Sequence, residues 1–354
     1  MIDTKKTLTS YSLDDAKALM QELGQPAFRA EQLFSWIHKG ATVDEMTNLP
    51  KDLREKLKLI PFGGVEIITR LTSKKDGTVK YLYKLEDGNI IEGVLMQYSY
   101  GRTICISTQV GCNMGCAFCA STLEGCVRNL TPGEMLYEIL SVERELQKED
   151  KQDRAITNVV LMGSGEPLDN YDNTIAFLKL VSHPKGINIS PRNISLSTCG
   201  IPSKIIRLIE EAPHVTLSIS LHAPFNNMRS ELMPINRVYP LNDVLEAAKL
   251  YAEKTGRRVI FEYALISGVN DTKECATQLS RITRGINCHV NLIPLNTVKE
   301  RNLIGATRKK ANEFLVMLKN LGVSATIRRE MGSDIEGACG QLRRRVIKEG
   351  EFLD

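Results

Sequence analysis

The chain has 354 residues, 42% hydrophobic and 25% charged, with 46 basic against 42 acidic side chains and a formal net charge of +4. That length supports one large core plus a smaller appendage, and the proportions exclude wholesale disorder and a coiled-coil rod. The N-terminus lacks an apolar stretch and no window approaches the ~18 apolar residues of a membrane span, so the expected location is the cytoplasm.

Residues 12–23 place Leu13, Ala16, Leu19, Met20 and Leu23 at helical spacing, with Ser12 and Asp15 at capping-box positions and Gly24 as a stop. Further helices are expected over about 27–38, ended by Gly40, and about 51–59, entered through Leu49 and Pro50. Residues 1–60 carry nine basic and nine acidic side chains, which makes a small neutral helical domain rather than a basic arm. Strands are expected at 65–72, 79–85 and 90–96, separated by Asp76-Gly77 and Asp87-Gly88, a strong hairpin signal.

After Tyr100 the rhythm changes to strands alternating with helices. Strands are expected near 103–108, 158–162, 193–197, 216–220, 259–264, 289–293 and 324–328, and helices over 132–149, 201–211, 241–254 and 310–321. This α/β alternation implies crossovers onto a parallel sheet, either doubly wound or closed as a full or partial barrel. Both place ligands at the C-terminal strand ends. The unusual segments GCNMGCAFC, GSGEP, STCG and SLHAP fall there.

Five of the nine cysteines, Cys105, Cys112, Cys116, Cys119 and Cys126, fall within 22 residues. In a cytosolic chain they are expected to be mostly reduced. Cys112, Cys116 and Cys119 form a C-x3-C-x2-C triad in the loop after the first strand of the alternating region. Three thiolates at this spacing can hold a cubane iron-sulfur cluster and leave one iron open. Zinc remains an alternative if Cys105 or Cys126 supplies a fourth thiolate.

This triad, with Phe118 before its last cysteine, resembles the radical S-adenosylmethionine (SAM) superfamily. The resemblance implies a partial (β/α)6 TIM-type barrel, a [4Fe-4S] cluster on Cys112, Cys116 and Cys119, and SAM on the open iron. It implies reductive SAM cleavage to methionine and a 5'-deoxyadenosyl radical. Gly165 and Glu166 in GSGEP match the motif that holds the SAM amino group. Ser197, Ser220, Leu221, His222 and Asn296, at later strand ends, match positions that contact its ribose, carboxylate and adenine. Taken alone, a serine or asparagine there is as readily a helix cap.

The chain resembles more closely the RlmN family of adenosine-C2 RNA methyltransferases, through TQVGCNMGCAFCAST, ITNVVLMGSGEPLDNYDN, LMPINR, EYALISGVND and the C-terminal GSDIEGACGQL. The likeness runs over essentially the whole chain. It implies an accessory RNA-binding domain over 1–62, a strand extension over 63–100, the radical SAM core over 101–340 and a tail over 341–354. It also implies that Cys339 is methylated by one SAM, and that a second SAM activates its thiomethyl group to add to adenine C2. Cys105 then matches the thiol that resolves the adduct through a transient disulfide, and Glu92 the proton acceptor. In isolation Cys105 reads as a buried inert thiol and Glu92 as a solvated strand residue. Cys126, Cys199, Cys275 and Cys288 match no role and are assigned to packing or turns.

The implied partners are 23S rRNA, tRNA and an electron donor such as flavodoxin, with the chain itself a monomer. A sister family methylates C8 of the same rRNA adenosine; Pro167 after Glu166 favours the C2 pattern, and Ser164 departs from the residue common in relatives. The basic pairs and runs at 257–258, 308–310, 328–329 and 343–345 are candidate phosphate contacts, though each alone also suits a solvated face.

Overall fold

The computed structural model describes residues 6–150, 155–295, 303–335 and 342, excepting the side chains of residues 149–150. At the N-terminus, helix α1 (Leu13–Glu22) opens with a reciprocal capping box. Ser12 Oγ accepts from the Asp15 N–H at 3.1 Å, and Asp15 Oδ2 accepts from the Ser12 N–H at 2.8 Å. Helices α2 (Phe28–Ile37) and α3 (Lys51–Leu57) follow, with Leu33, Phe34, Ile37, Leu53 and Leu57 buried. These apolar faces belong to the same contiguous core as the barrel strands, so the helical segment has no separate core. Across the junction the Tyr137 hydroxyl donates to the Ala41 carbonyl and Arg144 pairs with Glu45 at 2.7 Å.

Strands β1 (Val65–Thr72), β2 (Val79–Leu85), β3 (Ile90–Tyr98) and β4 (Gly101–Ile106) form an antiparallel meander. Its first two turns carry Gly77 and Gly88 with φ of 72° and 82°, the left-handed backbone that both Asp-Gly signals require. A small two-stranded ribbon then joins β5 (Gln109–Gly111) to β6 (Cys126–Asn129).

From there the chain alternates: α4 (Pro132–Asp150), β7 (Ile156–Leu161), α5 (Tyr171–Val181), β8 (Ile194–Thr198), α6 (Pro202–Glu211), β9 (Thr216–Ser220), α7 (Asn226–Leu232), α8 (Leu241–Thr255), β10 (Val259–Leu265), α9 (Lys273–Thr283), β11 (Cys288–Pro294), α10 (Arg308–Asn320) and β12 (Ala325–Ile327). Spatial order in the sheet follows sequence order, β1-β2-β3-β4-β7-β8-β9-β10-β11-β12, and every pair from β4 onward is parallel. A doubly wound sheet needs a point where strand order reverses; this sheet has none and winds one way, as a partial barrel does. Six strands, β4 to β11, make the barrel and β12 extends its edge. Among the described residues no helix is long and apolar enough to cross a membrane.

Differences from the sequence expectation are local. Strand β3 runs on to Tyr98 and helix α3 stops at Leu57. Helices α5 and α9 fill gaps where the alternation implies a helix without marking its bounds, whereas the short polar α7 and the three-residue β5 of the ribbon carry no periodic signal.

Candidate active site

The parallel strands deliver their polar ends to one cavity of about 360 Å³. Its wall includes Cys112, Cys116, Cys119, Gly165, Glu166, Ser197, Ser220 and His222, together with Cys105, Cys199 and Glu262. Eight of the sequence-predicted ligand positions thus meet around one volume, with Cys105 beside them.

The cysteine loop is shaped by its surroundings. At Gly111 (φ 81°) a Cβ would lie 2.0 Å from the Gly125 carbonyl, so only glycine admits the β5–β6 approach that starts the loop. The Cys112 N–H donates to that carbonyl, the Ala117 N–H to the Leu232 carbonyl, and Thr122 Oγ1 to the Cys119 carbonyl at 3.0 Å. Leu232 and Met233, at the end of α7, pack beneath Cys112 and Cys116 in a small apolar cluster. Burial pushes the Cys112 thiol up to about 12 and raises Cys116 as well. Ionised sulfur in this wall therefore calls for positive charge beside it, which a cationic iron centre supplies. Among the described residues no three His, Cys, Asp or Glu side chains meet at the range a single metal ion needs.

Glu166 is 3% exposed and anchored on both oxygens. Oε1 accepts from the Leu168 N–H at 3.0 Å and Oε2 from the Cys199 N–H at 2.7 Å. Burial raises its carboxyl above the ordinary value against the pull of these donors. An arriving ammonium group would favour its ionised form. At Gly163 a Cβ would stand 2.6 Å from the Ile106 carbonyl oxygen, so glycine lets the GSGEP turn lie directly against the end of β4. The donor chemistry, three thiols beside a buried anchored carboxyl, suits thiolate-held iron and a ligand carrying an amine.

His222 sits in left-handed backbone (φ 54°) after β9. Its Nδ1 accepts from the Ala264 N–H at 2.9 Å, which puts the ring proton on Nε2. Burial lowers it to about 3, so the ring is neutral, and it meets Phe118 edge-on at 4.6 Å. The aromatic in the cysteine motif is thereby braced against the SLHAP turn. Leu221 differs from its neighbours: its side chain is in the core and does not line the cavity, while its carbonyl accepts from Arg229 Nε at 3.3 Å.

Cys105 is 6% exposed, packed with Val94, Met96 and Met162 on the cavity wall. Glu92 is buried rather than solvated, because the inner face of β3 turns toward the barrel. It lies next to the cavity without lining it, and pairs with the fully buried Lys80 at 3.2 Å. Asn296 and Cys339 lie outside the described residues. Of the basic candidates, Arg328 and Arg329 line the cavity and 343–345 fall outside the described residues; Arg257 is turned onto Thr216 Oγ1 at 2.9 Å.

Several residues at the site are not among those expected from the motifs. Cys199, assigned to packing, contributes the backbone donor that fixes Glu166. Glu262 faces the cavity from β10, bonded to Asn291 at 2.9 Å and raised by burial; a lone acid inside the apolar run VIFEYAL was its available signature. Arg229 is wholly buried and donates to the carbonyls of Cys199, Ser220 and Leu221 and to Asn236 Oδ1. It staples together the ends of β8 and β9.

A partial barrel with a three-cysteine loop at the head of its first parallel strand defines a radical SAM protein, and the Radical SAM superfamily model matches residues 106–276. A second model, the ribosomal RNA large subunit methyltransferase N-terminal domain, matches residues 7–61. Over 97% of its length the chain is 52% identical to a protein of Clostridium perfringens (strain 13 / Type A) named "Probable dual-specificity RNA methyltransferase RlmN", covering 98% of that relative. A protein of the same name from Caldanaerobacter subterraneus subsp. tengcongensis is 49% identical, covering 97% of this chain and 99% of the relative. The crystal structure of a radical SAM methyltransferase from Sphaerobacter thermophilus aligns with TM-score 0.90 at 40% identity, over 95% of this chain and 98% of that one. The chain belongs to the RlmN family.

Proposed function

We propose that this protein is a radical SAM methyltransferase that adds a methyl group to C2 of adenosine in 23S rRNA and in tRNA. The observation that carries the reading is the meeting, in one cavity, of the three motif cysteines, Glu166 and a separate buried thiol, Cys105. A simple SAM-binding or iron-sulfur RNA-binding protein gives that last thiol no task.

Cys112, Cys116 and Cys119 would hold a [4Fe-4S] cluster, and Glu166, Ser197, Ser220 and His222 would line the SAM site, with Asn296 as a further ligand. When bound, cluster and SAM supply the one-electron chemistry and the methyl carbon that side chains lack. This chain's own part is nucleophilic and acid-base. Adenine C2 is not nucleophilic, so the carbon must be presented on a tether, which is the task of Cys339. Leu342, three residues beyond Cys339 in sequence, packs on Leu82 on the inner face of the meander, and Leu82 is the register partner of Glu92. Once the base is joined to the Cys339 sulfur through a methylene, Glu92 takes the C2 proton, and the unpaired electron of the adduct would be taken up by the iron-sulfur centre. The Cys105 thiolate then attacks the Cys339 sulfur; the S–CH2 bond breaks with its electron pair going to the methylene carbon, which takes a proton to become the methyl group. The products are a methylated base and a Cys105–Cys339 disulfide, which a dithiol returns to two thiols by exchange, while an electron donor such as flavodoxin would supply the electron that SAM cleavage consumes.

The 1–62 helices serve in this reading as an RNA-contacting accessory domain on the 101–340 core, acting by shape because their charges balance. The chain acts as a monomer in the cytoplasm. Pro167 supports C2 over C8 as the site. Anaerobic incubation with SAM, reductant and an rRNA fragment, followed by mass spectrometry against 2-methyl- and 8-methyladenosine standards, tests both product and position. A Cys339→Ala variant should keep its iron and yield neither product; retained methylation would remove the carrier role.

A further inference from the structure

We propose that Lys80 is a positioning residue that holds Glu92 as an oriented carboxylate for removal of the C2 proton; the inference rests on the role proposed for Glu92. Lysine is among the residues least often fully buried, since its ammonium loses its hydration, yet Lys80 has no exposed surface. The β2–β3 hairpin needs no charge there to fold, because its neighbours on that face are Leu82, Val94 and Met96.

Register explains what the charge reaches. Lys80 pairs with Val94, and Val94 with Cys105, so the three form one row across β2, β3 and β4. Side chains in a paired row point to the same face, and Cys105 and Val94 face the cavity. Glu92 stands one step along β3 on that face, opposite Leu82 and diagonal to Lys80, with Nζ to Oε2 at 3.2 Å. The backbone beneath it is fixed as well: Ser107 Oγ donates to the Glu92 carbonyl at 2.8 Å, and the Ser164 N–H in the GSGEP turn donates to Ser107 Oγ at 3.0 Å. The carboxylate is thus tied to the same framework as the cofactor-side motif.

A buried carboxylate beside an ammonium stays ionised and can accept a proton; without that charge, burial favours the neutral acid, which cannot. In the step concerned, the C2–H bond breaks, its electron pair stays with the ring, and an O–H bond forms on Glu92. Lys80 takes no part in these bond changes and touches no substrate.

The test compares Lys80→Met, Lys80→Gln, Lys80→Arg and Glu92→Gln in anaerobically reconstituted full-length protein, with SAM, reductant and an rRNA fragment. Iron content and SAM cleavage should stay at the wild-type level in all four. Lys80→Met should lose methyl release by on the order of 100-fold and accumulate a covalent RNA–protein adduct on denaturing gels, and Glu92→Gln should do the same. Lys80→Arg should restore release to within about tenfold of wild type, since charge is what is required. Without any turnover, the infrared spectrum of Lys80→Met should gain a protonated-carboxyl band that vanishes in the Lys80→Met/Glu92→Gln double variant. Should Lys80→Met fold poorly, Lys80→Gln decides, with the same adduct expected. Wild-type release in either neutral variant, or a joint fall of iron, SAM cleavage and adduct, overturns the assignment. Normal release by Glu92→Gln would instead remove the role of Glu92 itself.

Discussion

Replacing Arg229 by methionine tests whether the cavity is held open from behind. The guanidinium makes four hydrogen bonds, three to backbone carbonyls at the ends of β8 and β9 and one to Asn236. Bonds from a charged donor are worth about 1.5–3 kcal/mol each, and each buried carbonyl left without a donor costs about 1–3 kcal/mol. Against this stands the desolvation of the buried guanidinium, several kcal/mol, which methionine would relieve and which lowers the arginine below its usual range. Methionine fills most of the volume, so little cavity penalty is added. The balance is a destabilisation of about 2–4 kcal/mol; with ~2.1 cal/mol/K of unfolding entropy per residue over 354 residues, that lowers Tm by about 3–5 °C. The functional effect should be larger than the thermal one, because the Cys199 carbonyl held by Arg229 follows the peptide N–H that fixes Glu166. SAM affinity, read by calorimetry under anaerobic conditions, should fall at least ~10-fold, equivalent to about 1.4 kcal/mol. Arg229→Lys should lie between, since an ammonium lacks the planar fork that reaches several acceptors. A methionine variant with wild-type Tm and wild-type SAM affinity would refute the stapling role.

Two further outcomes follow from buried carboxyls. Glu166→Gln keeps the shape but can offer its oxygen to only one of the Leu168 and Cys199 N–H groups, and it loses the charge that faces an amine. SAM dissociation constants should rise about 10- to 100-fold with the fold intact, and a change under twofold in calorimetry would contradict the assignment. Glu138, on α4, is fully buried, accepts from the Ser107 N–H at 3.0 Å and has an Oε1 with no hydrogen-bond partner among the described residues. Burial raises it well above 4.5, so between 4.5 and its folded value the native state holds a proton that the unfolded chain has lost. Its contribution to stability is complete below 4.5 and drains away as pH rises through the folded value. Glu138→Gln removes that slope, so the stability of the variant relative to wild type should improve as pH rises above 4.5, levelling off once the folded value is passed, in urea titrations. Parallel curves would show that Glu138 does not titrate as described.

What was legible in the sequence is what local chemistry dictates. The Ser12/Asp15 box, the two Asp-Gly turns and the cysteine spacing each act within a few residues, and each appears where the sequence put it. Barrel closure was a different matter: strand alternation fits both a doubly wound sheet and a barrel, and only the unbroken spatial order of the strands separates them. Long-range partners were hidden for the same reason. Lys80, Glu138 and Arg229 look like ordinary solvent-facing charges on amphipathic segments, and periodicity cannot show that a charge is turned inward when its partner comes from another strand or a distant carbonyl. Their burial is costly, and each is matched to a named group: Lys80 to Glu92, Glu138 to the Ser107 N–H, Arg229 to the carbonyls of Cys199, Ser220 and Leu221. Two of these anchors converge on one short stretch, because Ser107 receives Glu138 at its N–H while its hydroxyl bonds the Glu92 carbonyl and the Ser164 N–H. A single serine at the end of β4 therefore registers the meander that carries Glu92 against the turn that carries Glu166, which makes residue 107 the place where the carboxylate side and the cofactor side of the cavity are held to a common frame.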